Sequence, residues 1–249
     1  MKIYGLIGKT LHHSFSARYF SEKFKTDKIP DSQYLNFEME DLAKEVQSLK
    51  KNPEIRGLNV TIPYKTDIIP FLDELTDECQ KVNACNCIKI KEGKWIGYNT
   101  DIAGFEKSFI PLLKSTHKKA LVLGTGGASK AIAFVLEKLN IDFLKVSRKK
   151  DESSSVISYD EINEAIMTEF QIVINTTPVG TSPNIDECPD LPYQFITDRH
   201  YFFDLVYNPQ KTLFLSRAEK QGAFIKNGDD MLIIQAEESW KIWNEKMEQ

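Results

Sequence analysis

The sequence predicts an α/β protein of two domains. Three observations carry that prediction. Strand and helix signals alternate through the first hundred residues, they alternate again beyond residue 120, and the second series opens with an apolar strand running straight into a glycine-rich turn. At 249 residues the chain is long enough for two modest domains, each with a buried core.

In the first half, strands are expected at 2–8, 33–37 and 57–62, with helical spacing of apolar residues over 16–28 and 39–51 between them. Ser16 is the expected N-cap of the first helix, and Pro53 lies just beyond the second. This βαβαβ order implies a mostly parallel sheet. Residues 86–91 and 94–98 read as a hairpin turning at Glu92-Gly93. A helix over 102–113, with Asp101 at or near its first turn, bridges to the second half.

There the expected strands are 120–123, 143–147, 172–175 and 201–204, with a helix over 129–139. Residues 151–155 are expected to make a polar, serine-rich surface turn. Pro183, Pro189 and Pro192 make 181–199 an irregular loop beside a cleft. The tail, 231–246, is amphipathic, with Leu232, Ala236, Trp240 and Trp243 on one face.

Composition excludes several function classes. With 41% hydrophobic and 27% charged residues the chain is of ordinary globular type, and its net charge of -4 provides no field that recruits nucleic acid or an anionic membrane. No apolar run approaches the roughly 20 residues needed to span a bilayer, and the N-terminal apolar stretch is too short for a signal peptide, so a cytoplasmic location is expected. Four cysteines make no disulfide framework. Cys85 and Cys87, one residue apart, suit neither a zinc pair nor a redox pair; strand alternation puts both on one face as packed thiols, with Asn86 on the other. The four histidines lack ligand spacing, and no metal is expected.

The glycine-rich turn carries the first sharp functional reading. Gly124 lets the chain turn tightly after the strand, Gly126 lets backbone amides approach a pyrophosphate, and beyond Gly127 and Ala128 the positive end of the following helix faces those phosphates. Ser129 stands where the common fingerprint has its last glycine. The next strand ends in Ser147-Arg148-Lys149-Lys150, with no acid to grip a ribose 2′-hydroxyl. Ser147, Arg148 and Lys149 suit a 2′-phosphate, which favours NADP over NAD, while Lys150 reads as a solvated turn residue.

Further blocks appear in order along the chain: Gly5-Leu6-Ile7-Gly8 with His13-Ser14-Phe15-Ser16, Asn59-Val60-Thr61-Ile62-Pro63-Tyr64-Lys65, Asn99-Thr100-Asp101, Asn175-Thr176-Thr177-Pro178, Asp204 through Pro209, and Met231 through Ala236. The ordered set, spanning nearly the whole chain, resembles the shikimate dehydrogenases. The resemblance implies an N-terminal α/β substrate domain, 1–101 plus the C-terminal helix at about 230–249, and a Rossmann-like NADP-binding domain at 102–229. It implies reversible reduction of 3-dehydroshikimate to shikimate on the route to chorismate and the aromatic amino acids, by a monomer or homodimer.

Chemistry and resemblance agree on where the substrate would sit. A carboxylate bearing hydroxyls needs short donors rather than greasy walls. Ser14 and Ser16, at a helix start, suit a carboxylate, and Ser16 is equally well explained as an N-cap. Asn59 and Thr61 alternate with Val60 and so share a side at the carboxyl end of the third strand, where open α/β sheets bind ligands. Asn86, Tyr207 and Gln235 join the substrate set by resemblance, with Thr176, Pro178, Val206, Gly228 and Met231 on the cofactor side; core packing is the safer account of Val206.

Lys65 and Asp101 are the catalytic expectation. Oxidising a secondary alcohol removes a hydroxyl proton as hydride leaves carbon. Burial would favour a neutral lysine able to take that proton, whereas a neighbouring aspartate favours the charged form. The pair therefore reads as positioning and polarising the reacting oxygen, with the identity of the base open. The chain departs from the family pattern at Ala17, at Phe20-Ser21 and at Asp229-Asp230, where a glycine pair is usual. Rival readings are a quinate/shikimate enzyme of broader specificity, a methylenetetrahydrofolate dehydrogenase, and an NADP sensor without turnover.

Overall fold

In the computed structural model, which describes residues 1–11, 14–148 and 156–245, the chain forms two units, Met1–Thr100 with Ala236–Gln249 and Asp101–Gln235. His12, His13, Lys149, Lys150, the turn expected at 151–155 and Lys246 lie outside the described residues.

The first unit is built on a six-stranded sheet. Its strands are β1 (Lys2–Gly8), β2 (Ser32–Glu38), β3 (Ile55–Val60), β4 (Glu74–Leu75), β5 (Cys87–Lys91) and β6 (Lys94–Tyr98), in the order β2-β1-β3-β5-β6-β4. β1 runs parallel to both β2 and β3, whereas β5 is antiparallel to β3 and β6. The β5–β6 hairpin turns at Glu92 and Gly93, whose φ angles of 53° and 81° belong to a primed turn matching the strand twist.

Helices α1 (Phe15–Thr26), α2 (Leu42–Leu49) and α3 (Asp77–Val82) complete its sequential elements. The N-cap of α1 is Ser14, not Ser16: the Ser14 hydroxyl accepts the Ala17 amide at 3.1 Å. The helix starts earlier because Phe15 is drawn into it, where its ring stacks on Tyr19 one turn later. Ser16 is left inside the first turn.

One core of this unit gathers Ile7, Val46, Leu58, Ile88 and Trp95, and another gathers Tyr4, Phe20, Phe24, Tyr34 and Trp243. Cys85 belongs to the former and Cys87 to the latter, so the expectation that they share a face is wrong. β5 begins only at Cys87, and two-residue alternation does not extend back through the irregular backbone at Cys85.

The second unit is a sheet in which every pairing is parallel. Its strands are β7 (Lys119–Leu123), β8 (Asp142–Ser147), β9 (Val156–Ser158), β10 (Ile172–Asn175), β11 (Tyr201–Asp204) and β12 (Phe224–Lys226), ordered β12-β11-β10-β7-β8-β9. The chain starts at the centre, runs outward through β8 and β9, then returns to the other side of β7 for β10 to β12. The strand order therefore reverses between β7 and β10, the position where doubly wound sheets leave a crevice. Both strands are buried, as an apolar run in a parallel sheet requires.

Helices α4 (Thr100–Phe109), α5 (Gly127–Lys138), α6 (Glu164–Glu169), α7 (Leu213–Lys220) and α8 (Asp229–Asn244) follow in order. Residues 181–199 are irregular apart from one short turn of 3-10 helix, Tyr193–Phe195, yet Leu191 and Ile196 are buried in the core. In α8 the buried stripe is Met231, Gln235, Ala236, Ser239, Ile242 and Trp243, while Leu232 and Trp240 flank it half-buried. An apolar-only reading misplaces the stripe because two of its members are polar.

Candidate functional site

In the first unit the expected polar residues converge on Ala84–Asn86, which lies between α3 and β5. The Cys85 amide donates to the Lys65 carbonyl at 2.7 Å, and the Asn99 side chain donates to the Ala84 carbonyl at 2.7 Å. The Asn86 carbonyl accepts from the Val60 amide at 2.9 Å and from Asn59 Nδ2 at 3.2 Å. Asn86 Oδ1 accepts the Thr100 amide at 2.7 Å and the Thr100 hydroxyl at 3.2 Å. One short segment thus holds Asn59, Lys65, Asn99 and Thr100, the last being the residue before Asp101.

Asn59 is 4% exposed and both its amide hydrogens are taken: Tyr34 donates to its Oδ1 at 2.9 Å, and its second amide hydrogen goes to Ser239 Oγ at 2.9 Å, which leaves Oδ1 able to accept one more bond. Ser16 lies beside the same Tyr34 phenol, which burial holds well above its usual value, Ser16 opposing. Ser16 and Asn59 are therefore brought together through Tyr34, a residue that sequence reasoning missed. Thr61 lies just past the end of β3, half-buried, its amide donating to the Ile7 carbonyl at 2.9 Å. Lys65 follows in a turn, half-buried.

Asp101 opens the second unit, buried in the first turn of α4. Three residues on, a Cβ added at Gly104 would lie 2.9 Å from the Met231 carbonyl and 3.1 Å from Gln235 Cβ, so α8 meets α4 backbone to backbone. Gln235 is buried and donates to the Leu232 carbonyl at 2.9 Å; Tyr207 is half-buried in the segment after β11. The two acids at 229–230 have partners: Asp229 accepts from Asn227 Nδ2 at 2.9 Å, and Asp230 pairs with Lys226 one turn back. Both also sit in the first turn of α8, where the helix dipole favours negative charge.

The glycine turn lies at the strand-order reversal. Gly124 has φ +109°, and a side chain there would strike Thr176 Oγ1 at 2.7 Å. Thr176 itself donates to the Leu123 carbonyl at 2.6 Å, closing β10 onto the end of β7. A Cβ at Gly126 would meet nothing within 4 Å, so this backbone faces open space at the α5 N-terminus. Ser129 is fully buried and donates to the Gly126 carbonyl at 2.7 Å, which accounts for a serine where the fingerprint has glycine. Gly127 and Ala128 are half-buried in the first turn of α5.

Ser147 ends β8 half-buried and Arg148 follows it exposed; Lys149 lies outside the described residues. Pro178 is exposed and Thr176 half-buried on the far side of the glycine turn. Val206 is buried, its amide donating to Asp204 Oδ1 at 3.0 Å. A Cβ at Gly228 would lie 2.3 Å from the Leu205 carbonyl, so close backbone packing alone requires that glycine. An open amide face at a helix N-terminus, with a cation at the end of the neighbouring strand, fits a dinucleotide carrying a 2′-phosphate. Among the described residues no group of three or more His, Cys, Asp or Glu is placed to hold a metal, and no helix is long and apolar enough to cross a membrane.

Comparison with known proteins gives a consistent picture. The family model described as "Shikimate dehydrogenase substrate binding domain" matches residues 6–88. The shikimate dehydrogenase (NADP(+)) of Methanosphaera stadtmanae is 36% identical over 260 aligned residues, covering 98% of this chain and 92% of that protein. The crystal structure of shikimate dehydrogenase from Aquifex aeolicus superposes with a TM-score of 0.87 at 32% identity, over 98% of this chain and 92% of that one. The Thermus thermophilus enzyme, in complex with NADP(H) and shikimate, superposes with a TM-score of 0.84 at 25% identity, over 98% and 94%.

Proposed function

Because the chain belongs to the shikimate dehydrogenase family, we propose that it interconverts 3-dehydroshikimate and shikimate by reversible, NADP-dependent hydride transfer in the cytoplasm. The observation that carries the reading beyond family membership is the glycine turn at the strand-order reversal, open at Gly126 and followed by Arg148 rather than an acid.

Each group then has a role set by its chemistry. Ser14 and Ser16, at the N-terminus of α1, hold the substrate carboxylate; the Ser14 hydroxyl accepts the Ala17 amide and keeps its own proton to donate. Asn59, Thr61, Asn86, Tyr207 and Gln235 bind the ring hydroxyls. Lys65 and Asp101 hold the reacting oxygen and manage its proton. Gly124, Gly126, Gly127 and Ala128 receive the pyrophosphate, while Ser147, Arg148 and Lys149 receive the 2′-phosphate. Thr176, Pro178, Val206, Gly228 and Met231 border the rest of the dinucleotide. When bound, NADP supplies the hydride acceptor. The residues of 1–101 with the C-terminal helix form the substrate domain, and 102–229 the NADP domain.

The test is direct. Purified protein is mixed with shikimate and NADP and the reduced nicotinamide is followed by absorbance, with quinate and NAD run in parallel. Turnover confined to shikimate plus NADP, and abolished by Lys65→Ala, is the expected result. Comparable turnover with quinate or NAD would move the assignment to the broader-specificity branch, and NADP binding without any turnover would leave a sensor.

A further inference from the structure

Ser239 is fully buried on α8, one turn beyond Gln235, and has no role in the reaction so far. Its hydroxyl accepts from Asn59 Nδ2 at 2.9 Å and lies 3.2 Å from Thr100 Oγ1. Thr100 Oγ1 in turn lies 3.2 Å from Asn86 Oδ1, and the Asn86 carbonyl takes the other hydrogen of Asn59 Nδ2 at 3.2 Å. Four residues from four places in the sequence therefore close a ring of hydrogen bonds.

Backbone groups dictate the direction of every bond in that ring. The Thr100 amide can only donate, so the group of Asn86 facing it at 2.7 Å is the oxygen. The Asn86 carbonyl can only accept, so the group of Asn59 facing it is the nitrogen. Asn59 then donates to Ser239, Ser239 donates onward to Thr100, and Thr100 donates to Asn86 Oδ1. Cys87 borders the same serine; burial pushes its thiol up to about 12, with Ser239 and Trp243 opposing, so it stays a neutral neighbour. Turning the amide of Asn59 or Asn86 would break at least two of these bonds in a buried site.

We propose that Ser239 is a positioning residue for the reaction. It locks the amide orientations of Asn59 and Asn86 and the start of α4, where Asp101 follows Thr100. The inference rests on the dehydrogenase reading given above. Ser239 touches neither substrate nor cofactor in this account; it acts through the asparagines and Thr100. Its loss should therefore act on substrate turnover and leave the cofactor side alone.

The experiment is a double-mutant cycle on the full-length enzyme with Ser239→Ala and Thr100→Val. The latter is nearly isosteric and keeps the Thr100 amide bond to Asn86. Wild-type turnover of shikimate is measured first, and its absence would sink the dehydrogenase reading rather than this one. With turnover established, each single variant is expected to lower kcat/KM for shikimate by about tenfold, with KM for NADP unchanged. Because both break the same relay, the double variant should fall little below either single one. Unchanged kcat/KM with only a lowered Tm, a loss shared equally by KM for NADP, or fully additive losses would each overturn the proposal.

Discussion

Asn175 and Asp204, both fully buried at the ends of the adjacent strands β10 and β11, are joined by a hydrogen bond of 2.9 Å from Asn175 Nδ2 to Asp204 Oδ1. The same carboxyl accepts from the Val206 amide at 3.0 Å and the Thr212 hydroxyl at 2.6 Å. Burial nevertheless dominates and pushes Asp204 up to about 6, the three donors opposing. The folded protein therefore holds this proton to higher pH than the unfolded chain. Stability contributed by the neutral acid is complete below about pH 4 and is lost as pH rises to about 6, an effect on the order of 3 kcal/mol. Asp204→Asn should remove that slope. Because His117 and His200, lowered by burial, slope the other way, the measurement is the difference between wild type and variant in urea midpoints from pH 4 to 7. Parallel curves would show that Asp204 ionises freely in the fold.

The two glycines of the phosphate turn should separate stability from binding. At Gly124 a side chain meets both a left-handed backbone and Thr176, so Gly124→Ala is expected to cost about 1–3 kcal/mol of stability. At Gly126 nothing stands in the way, so Gly126→Ala should keep the Tm and raise KM for NADP about tenfold or more. Thermal melts beside NADP titrations decide it; an unaffected NADP constant in Gly126→Ala would detach that backbone from the cofactor.

Arg148 carries the cofactor preference in this reading. Arg148→Ala should lower kcat/KM with NADP by about 10- to 100-fold, as expected for one charge-assisted phosphate contact, and leave NAD unaffected. The informative quantity is the NADP/NAD ratio; equal losses with both cofactors would place Arg148 away from the 2′-phosphate.

Close packing of the C-terminal helix can be tested at Gly57. A Cβ there would lie 2.4 Å from the Trp243 indole, whose Nε1 donates to the Ile88 carbonyl at 3.0 Å. Gly57→Ala should cost about 1–3 kcal/mol as the ring is displaced, read from urea unfolding by tryptophan fluorescence. An unchanged midpoint would mean that the ring has room to move.

Asn86 offers a chemical separation. Asn86→Asp keeps an acceptor for the Thr100 amide but removes the side-chain donor and buries a carboxyl, so activity should fall and stability should fall with it at pH 7, less so at pH 4 where the acid is neutral. Asn86→Ala leaves the buried Thr100 amide without its partner and should cost about 1–3 kcal/mol as well. Comparing urea midpoints at both pH values with kcat/KM for both variants distinguishes the two roles.

Much of this molecule could be read from local order. Strands 2–8, 172–175 and 201–204 agree with the observed β1, β10 and β11, since burial on both faces leaves unbroken apolar runs, and the turn at Glu92-Gly93 follows from its left-handed backbone. The short elements β4, α3, β9, α6 and β12 escape a sequence reading because a few residues cannot display a period. The N-cap of α1 was misread by two positions, since Ser14 and Ser16 are chemically equivalent and only the Ala17 amide distinguishes them.

By itself, then, the sequence determined the α/β alternation, the glycine turn and the ordered blocks that hold Asn59, Lys65 and Asp101, because those depend on residue type and spacing along the chain. Only the tertiary structure decided which faces Cys85 and Cys87 take, why Gly228 and Gly104 must be small, and which partners complete the buried polar ring. Tyr34 and Ser239 carry no local signal, for a hydroxyl in an apolar stripe looks like a defect until the fold brings an asparagine from a distant strand within 3 Å of it.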